Sequence, residues 1–180
     1  MLRTAGAALL AIALLGATDG AAETGSKDVQ VAAKVFGFTD PPLTGTVRVA
    51  IVFAPDVEAS RRDADALAGI LGTGLAAGKA TLVPVPVPLD PVGTGLDGAL
   101  DGAGAVFVTA GLAAHHEAIF GAAKARGLLS ISTDMDCVRA ARCVMGIRSE
   151  PRVEIVVNRS AAQASSIAFA PAFRMMISEL

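Results

Sequence analysis

The chain has no tryptophan and no tyrosine, and aromatics make up 4% of it. Readers of bases or sugar rings stack them on such side chains, so a stacking platform is excluded. Charge is also scarce: 18% of residues are Asp, Glu, Lys or Arg, and the formal net charge is −2. That balance excludes a basic nucleic-acid binder, and no nucleic-acid partner is expected. With 53% apolar residues, intrinsic disorder is excluded as well. There is no Gly-x-Ser-x-Gly elbow, no His-Glu-x-x-His and no lysine-bearing phosphate loop, so nothing commits the chain to catalysis. A length of 180 residues is enough for one domain with a real core.

The only long apolar run lies at the start. Arg3 supplies a positive n-region, and residues 5–15 form an apolar stretch too short to cross about 30 Å of hydrocarbon. Gly20 and Ala22 are small residues at the −3 and −1 positions of a signal-peptidase site. Residues 1–22 are therefore expected to be a cleaved signal peptide, leaving an exported, periplasmic chain from residue 23 onward. Export changes the reading of Cys137 and Cys143, the only two cysteines. An even pair in an oxidising compartment reads as a structural disulfide. The loop-entropy relation gives such a short bridge about 2.4 kcal/mol. A redox-active or metal-binding pair is the alternative. Catalytic pairs usually have Cys-x-x-Cys spacing, and no further ligand of the right type lies nearby.

Beyond the leader, strands and helices alternate. Thr46-Val47-Arg48-Val49-Ala50-Ile51-Val52-Phe53 is a buried strand, and Asp56 stands where it can cap a helix carrying Ala64, Leu67 and Leu71 on one face. A second strand from Thr81 continues through Pro84, Pro86 and Pro88. Proline at alternate positions cannot donate to a central ladder, so this strand belongs at an edge. Residues 105–109 and 128–133 form two more buried strands, with a helix over residues 112–126 between them. Residues 144–147 and 153–158 read as a closing hairpin, followed by a short Ala-rich helix and a C-terminal helix through Phe173 and Ile177. The pattern predicts a single three-layer α/β domain: a mostly parallel sheet in 2-1-3-4-5 order, helices on both faces, and a closing antiparallel strand pair.

In such a fold ligands gather at the carboxyl ends of the strands. The sequence places Asp56, Thr109, Gly111, His115, Thr133 and Asp134 there, as a candidate crevice for a small ligand or a partner. His116 is expected on the inward stripe of its helix and His115 at the margin. Adjacent histidines diverge, and Asp134 with Asp136 is too small an oxygen set for a metal, so no metal site is expected and cap use fits better. Gly93-Thr94-Gly95-Leu96-Asp97-Gly98 has Gly-x-Gly-x-x-Gly spacing. It follows a proline-rich loop rather than the first strand, so it reads as turn glycines and no cofactor is expected. The loop between the cysteines follows the fourth strand and is expected near the same crevice.

The second half carries a resemblance. Leu128-Leu129-Ser130-Ile131-Ser132-Thr133-Asp134, then Val144-Met145-Gly146-Ile147, then Val153-Glu154-Ile155-Val156-Val157-Asn158-Arg159-Ser160-Ala161-Ala162 resembles the core of the YfiR-like family of exported proteins. Residues 29–38 resemble that family's N-terminal helix. The family's usual Tyr and Trp-Pro there are missing, and only one of two disulfides known in one branch has a counterpart. The resemblance implies a non-enzymatic periplasmic regulator that represses the sensor region of a membrane-bound signalling protein such as a diguanylate cyclase. A low-charge surface also suits self-association, so a homodimer fits. Residues 153–162 also resemble the closing part of ABC-type solute-binding proteins, but those have two lobes, and the length favours the YfiR-like resemblance. The solute-binding resemblance implies a small-ligand-binding module equivalent to one lobe.

Overall fold

Along β2 (Gly45–Phe53), Val47, Val49 and Ile51 point to one face of the sheet, and Ala50 and Val52 to the other. Both faces of the strand are buried, which requires a layer of helices on each side. The computed structural model describes residues 24–90 and 95–180, and it has that arrangement. The expected signal peptide, residues 1–22, and Gly93-Thr94 of the glycine motif lie outside the described residues.

The described chain begins with α1 (Ser26–Val35), whose buried Val29, Ala32 and Ala33 follow the helical period, with Phe36 buried just after it. A two-residue strand β1 (Thr39–Asp40) leads into β2, then α2 (Glu58–Leu71), β3 (Leu75–Ala77) and β4 (Ala80–Pro88). Next come α3 (Leu96–Ala99), β5 (Ala105–Val108), α4 (His116–Ala125) and β6 (Leu129–Ser132). After them follow α5 (Met135–Arg139), β7 (Met145–Arg148), β8 (Glu154–Val157) and α6 (Arg159–Ala164). The chain ends with β9 (Ala168–Phe169), α7 (Pro171–Arg174) and β10 (Ser178–Glu179).

The main sheet has eight strands in the order β10-β8-β7-β6-β5-β2-β4-β3. Its parallel run β4-β2-β5-β6-β7 is the expected 2-1-3-4-5 order, and β8 closes antiparallel on β7, pairing Gly146 with Val156. Helices α1, α2, α6 and α7 cover the face of Val49, Phe107 and Ile131. On the other side α3, α4 and α5 cover Val52, Val106 and Val108, and the Cys137–Cys143 disulfide lies in that layer. The bridge spans 5.3 Å between Cα atoms, and both cysteines are fully buried. Among the described residues no helix is long and apolar enough to cross a membrane.

Four local expectations need correction. The proline strand is not outermost along its whole length, because β3 pairs antiparallel with Ala80, Thr81 and Leu82. That pairing stops where the prolines begin, so the edge argument holds for Pro84–Pro88 alone. Val57, not Asp56, is the N-cap of α2, and no side chain caps it. The helix expected from Leu112 starts with a 3₁₀ turn over Ala113–His115 and becomes α-helical only at His116. The C-terminal helix is one turn: only Phe173 in it is buried, Met175 and Met176 are exposed, and the chain extends into β10 beside β8.

Candidate functional site

The strand order turns between β2 and β5, and the sequence predicts a ligand crevice at their carboxyl ends. A buried polar chain fills that position. The Ala54 N–H donates to Ser60 Oγ at 2.9 Å, and Thr109 Oγ1 donates to the Val52 carbonyl at 3.0 Å. Between them Ser60 Oγ and Thr109 Oγ1 are 2.6 Å apart, so the remaining proton belongs to Ser60. Asp63, fully buried on the same helix, accepts from Ala110 N at 2.9 Å and Thr24 N at 2.7 Å. Every one of these groups is satisfied within the chain, as buried polar groups require.

This network decides where the predicted crevice residues stand. Thr109 is fully buried and its hydroxyl is fully used. Asp56 is exposed in the β2–α2 loop, and Gly111 is an exposed turn residue. Gly111 holds φ +78°, and a Cβ there would touch Val57 Cγ1 at 3.0 Å. His115 is half-exposed. Asp134 caps α5 by accepting from Asp136 N at 2.9 Å, the cap use expected for this pair. His116 is buried beside it, with Nε2 3.7 Å from Asp134 Oδ2, too far for a hydrogen bond. Burial lowers the His116 pKa; the carboxylates of Asp134 and Asp136 pull it upward, and burial wins.

Thr133 lines a cavity. The space measures about 320 Å³ and lies between the start of α1 (residues 25–28), Thr133 after β6, and residues 147–150 at the end of β7. It sits at the carboxyl ends of two parallel strands, two positions along the sheet from the filled switch point. Thr24 Oγ1 meets Thr133 Oγ1 at 3.1 Å, which ties the start of α1 to the end of β6. Lys27 Nζ pairs with Glu150 Oε1 at 3.1 Å across the opening. Asp28 turns one oxygen to Gly25 N at 2.8 Å, while its other oxygen, Oδ1, is buried with no partner. Ser149 is buried at the same cavity.

A second cavity, about 330 Å³, lies between α6 and the C-terminal strand. Its charged groups satisfy each other: Arg174 grips both oxygens of Glu179 at 2.8 and 3.1 Å, and Arg159 approaches the same carboxylate at 3.7 Å. The disulfide lines neither space. Arg142 pairs with Glu117 at the start of α4 and Arg139 with Asp136 beside Asp134; the loop between the cysteines, expected near the predicted crevice, lines neither cavity. Lys27, Asp28 and Ser149 were not singled out from the sequence. The available signal was Asp28 three residues after Gly25, the spacing of a helix start.

No family model matches the sequence, and a search of curated proteins gave no match. Solved structures do match in fold. One is a conserved domain protein from Vibrio cholerae O1 biovar El Tor, at 11% identity and a TM-score of 0.60, covering 86% of this chain and 59% of that one. Another is a substrate-binding protein with adhesive properties from Clostridium difficile in its ligand-free, open form. It matches at 12% identity and a TM-score of 0.61, covering 86% of this chain and 58% of that one. The chain thus spans under two thirds of the length of these neighbours, and what it shares with them is an α/β fold.

Proposed function

We propose that this chain is a small-ligand-binding module, with its ligand seated between the start of α1 and the ends of β6 and β7. The observation that carries the reading is a cavity of about 320 Å³ at the strand ends, lined by Lys27, Asp28, Thr133 and Ser149. Its volume falls within the range of small-molecule sites, and it lies at the carboxyl ends of parallel strands, although away from the turn in strand order. The fold shared with a substrate-binding protein supports the same reading. The module binds without catalysis and works in the periplasm after removal of residues 1–22. A thermal-shift screen against amino acids, nucleotides and sugars tests it. A true ligand at 100 times its dissociation constant stabilises the fold by about 2.7 kcal/mol. A screen in which no compound raises the midpoint counts against the reading.

The second reading is the YfiR-like one, a periplasmic regulator that binds a membrane-bound signalling protein or a second copy of itself. What favours it is the open edge of the sheet beside β10, where Met175, Met176, Val153 and Leu180 are exposed. Gentle co-purification from envelope extracts is its test, with recovery of a sensor protein as the supporting result.

A further inference from the structure

We infer a second binding site, separate from the one proposed above: the cavity of about 330 Å³ between α6 and β10 takes a small organic acid, a carboxylate on an apolar body. Val157, Ala162, Ile167 and Phe169 line it, so most of its wall offers no hydrogen bond. Phe169 is set there by β9, which pairs with β1, and by its contact with Phe173, ring centroids 5.2 Å apart. Apolar walls with a few polar groups at one place are the usual make-up of a small-molecule site. The space is roughly that of ten water molecules, enough for an acid of about six to eight carbons.

The acid end is called for by the charges. Arg159, Arg174 and Glu179 all line this cavity, and their charged groups converge. Arg174 commits Nε and Nη2 to the two Glu179 oxygens, at 2.8 and 3.1 Å. Arg159 Nε comes to 3.7 Å from Oε2, close enough for Coulomb attraction and too far for a hydrogen bond. Two guanidiniums thus share one carboxylate, and the wall keeps one positive charge in excess. Gln163, one turn after Arg159 on α6, lines the same space, and its amide has no hydrogen-bond partner among the described residues. An amine entering here finds the only carboxylate already engaged by Arg174. A carboxylate finds the planar Arg159 fork open, the geometry that binds it through two parallel N–H···O bonds.

The test is an NMR titration of the full exported chain with hexanoate, octanoate and phenylacetate, beside hexanol, hexylammonium, acetate and inorganic phosphate. At least one of the three acids should shift the amides of Gln163, Ile167 and Phe169, and should bind about tenfold more tightly than any of the other four probes. Arg159→Gln, at a side chain 69% exposed and held by no hydrogen bond, leaves the fold in place and should weaken that acid severalfold. Glu179→Gln removes the internal competitor for the two guanidiniums while keeping an acceptor for Arg174, so it should tighten the same acid. A merely structural ion pair would not move affinity in opposite directions in the two variants. Hexanol or hexylammonium matching the best acid overturns the inference, because the charge would then be idle. Acetate or phosphate matching it overturns the apolar half. Unchanged affinity in Arg159→Gln, weaker binding in Glu179→Gln, or silence from all three acids overturns it as well. Shifts at Lys27, Thr133 and Ser149 in place of these amides overturn it while supporting the ligand-binding reading of the other cavity.

Discussion

Replacing Asp63 by asparagine removes one oxygen's worth of hydrogen-bonding capacity and changes the shape hardly at all. Each carboxylate oxygen now accepts one backbone N–H, from Thr24 at 2.7 Å and from Ala110 at 2.9 Å, with the side chain fully buried. Whichever way the amide is turned, its NH₂ points at one of those N–H groups. One hydrogen bond to a charged group is lost, at about 1.5–3 kcal/mol, and two buried donors are left facing each other, at about 1–3 kcal/mol each. Relaxation recovers part of the sum, so the expected loss is about 3–5 kcal/mol, a large share of a typical domain's stability. Asp63→Ala should cost no more than Asp63→Asn, although it removes more atoms, because the space it opens admits a water that bonds both N–H groups. Urea unfolding measures this as a lowered midpoint with an unchanged slope. Hydrogen exchange at Ala110 should accelerate in both variants. An asparagine variant within about 1 kcal/mol of wild type, or one clearly more stable than the alanine variant, would refute the argument that acceptor count rather than volume fixes this position.

Cys137→Ser should lower stability by about 2–3 kcal/mol, the loop-closure value for a bridge spanning six residues of sequence, and thiol counting on the denatured, unreduced wild type should find none. Because burial lowers the pKa of His116 below its unfolded value of about 6.5, the unfolded chain binds its proton first. Stability should therefore be full above pH 6.5 and fall as pH drops toward the folded pKa, with a slope that flattens in His116→Gln; an identical pH profile in the variant counts against this. Gly146→Ala would set a Cβ 2.7 Å from Met135 Sδ and 2.8 Å from Val138 Cγ2. Met135 can bend away but Val138 cannot, so a loss of about 1–3 kcal/mol in chemical unfolding is expected.

The parts of the fold legible in the sequence are those where a single element carries its own signal. Val49 to Val52 bury both faces of β2, which is why those four residues read as an unbroken apolar run. The alternating prolines announced a free edge, and the hairpin of β7 and β8 followed from two β-branched runs around Arg148-Ser149-Glu150-Pro151-Arg152. β3, α3 and α5, three to five residues long, escaped because they are too short to show a period and are poorer in the β-branched residues that marked the equally short strands β5 to β8. The crevice was misjudged for a different reason. Thr109 was placed correctly at a strand end, but its use depends on Ser60, 49 residues earlier, whose position on the inner face of α2 no local pattern reveals. Asp28 and Ser149 are likewise brought together only by the packing of α1 against the end of β7.

That packing explains why the open space lies at β6 and β7 and not at the turn in strand order. The strand ends are covered by segments of the chain itself. Helix α1 precedes β2 and lies on the same face as α2, so Thr24 at its start is delivered across the strand ends, where Asp63 and Thr133 hold it. Between β2 and β5 this contact, with the Ser60–Thr109 chain, leaves no room. Further along, β7 ends in Arg148, Ser149 and Glu150, and the hairpin to β8 turns the chain away. The gap between that turn and the first turn of α1 is the cavity. At its wall Lys27 and Glu150 are a pair of exposed side chains worth at most about 1 kcal/mol. On the ligand-binding reading proposed above, a compound entering the cavity has only this exposed pair to displace.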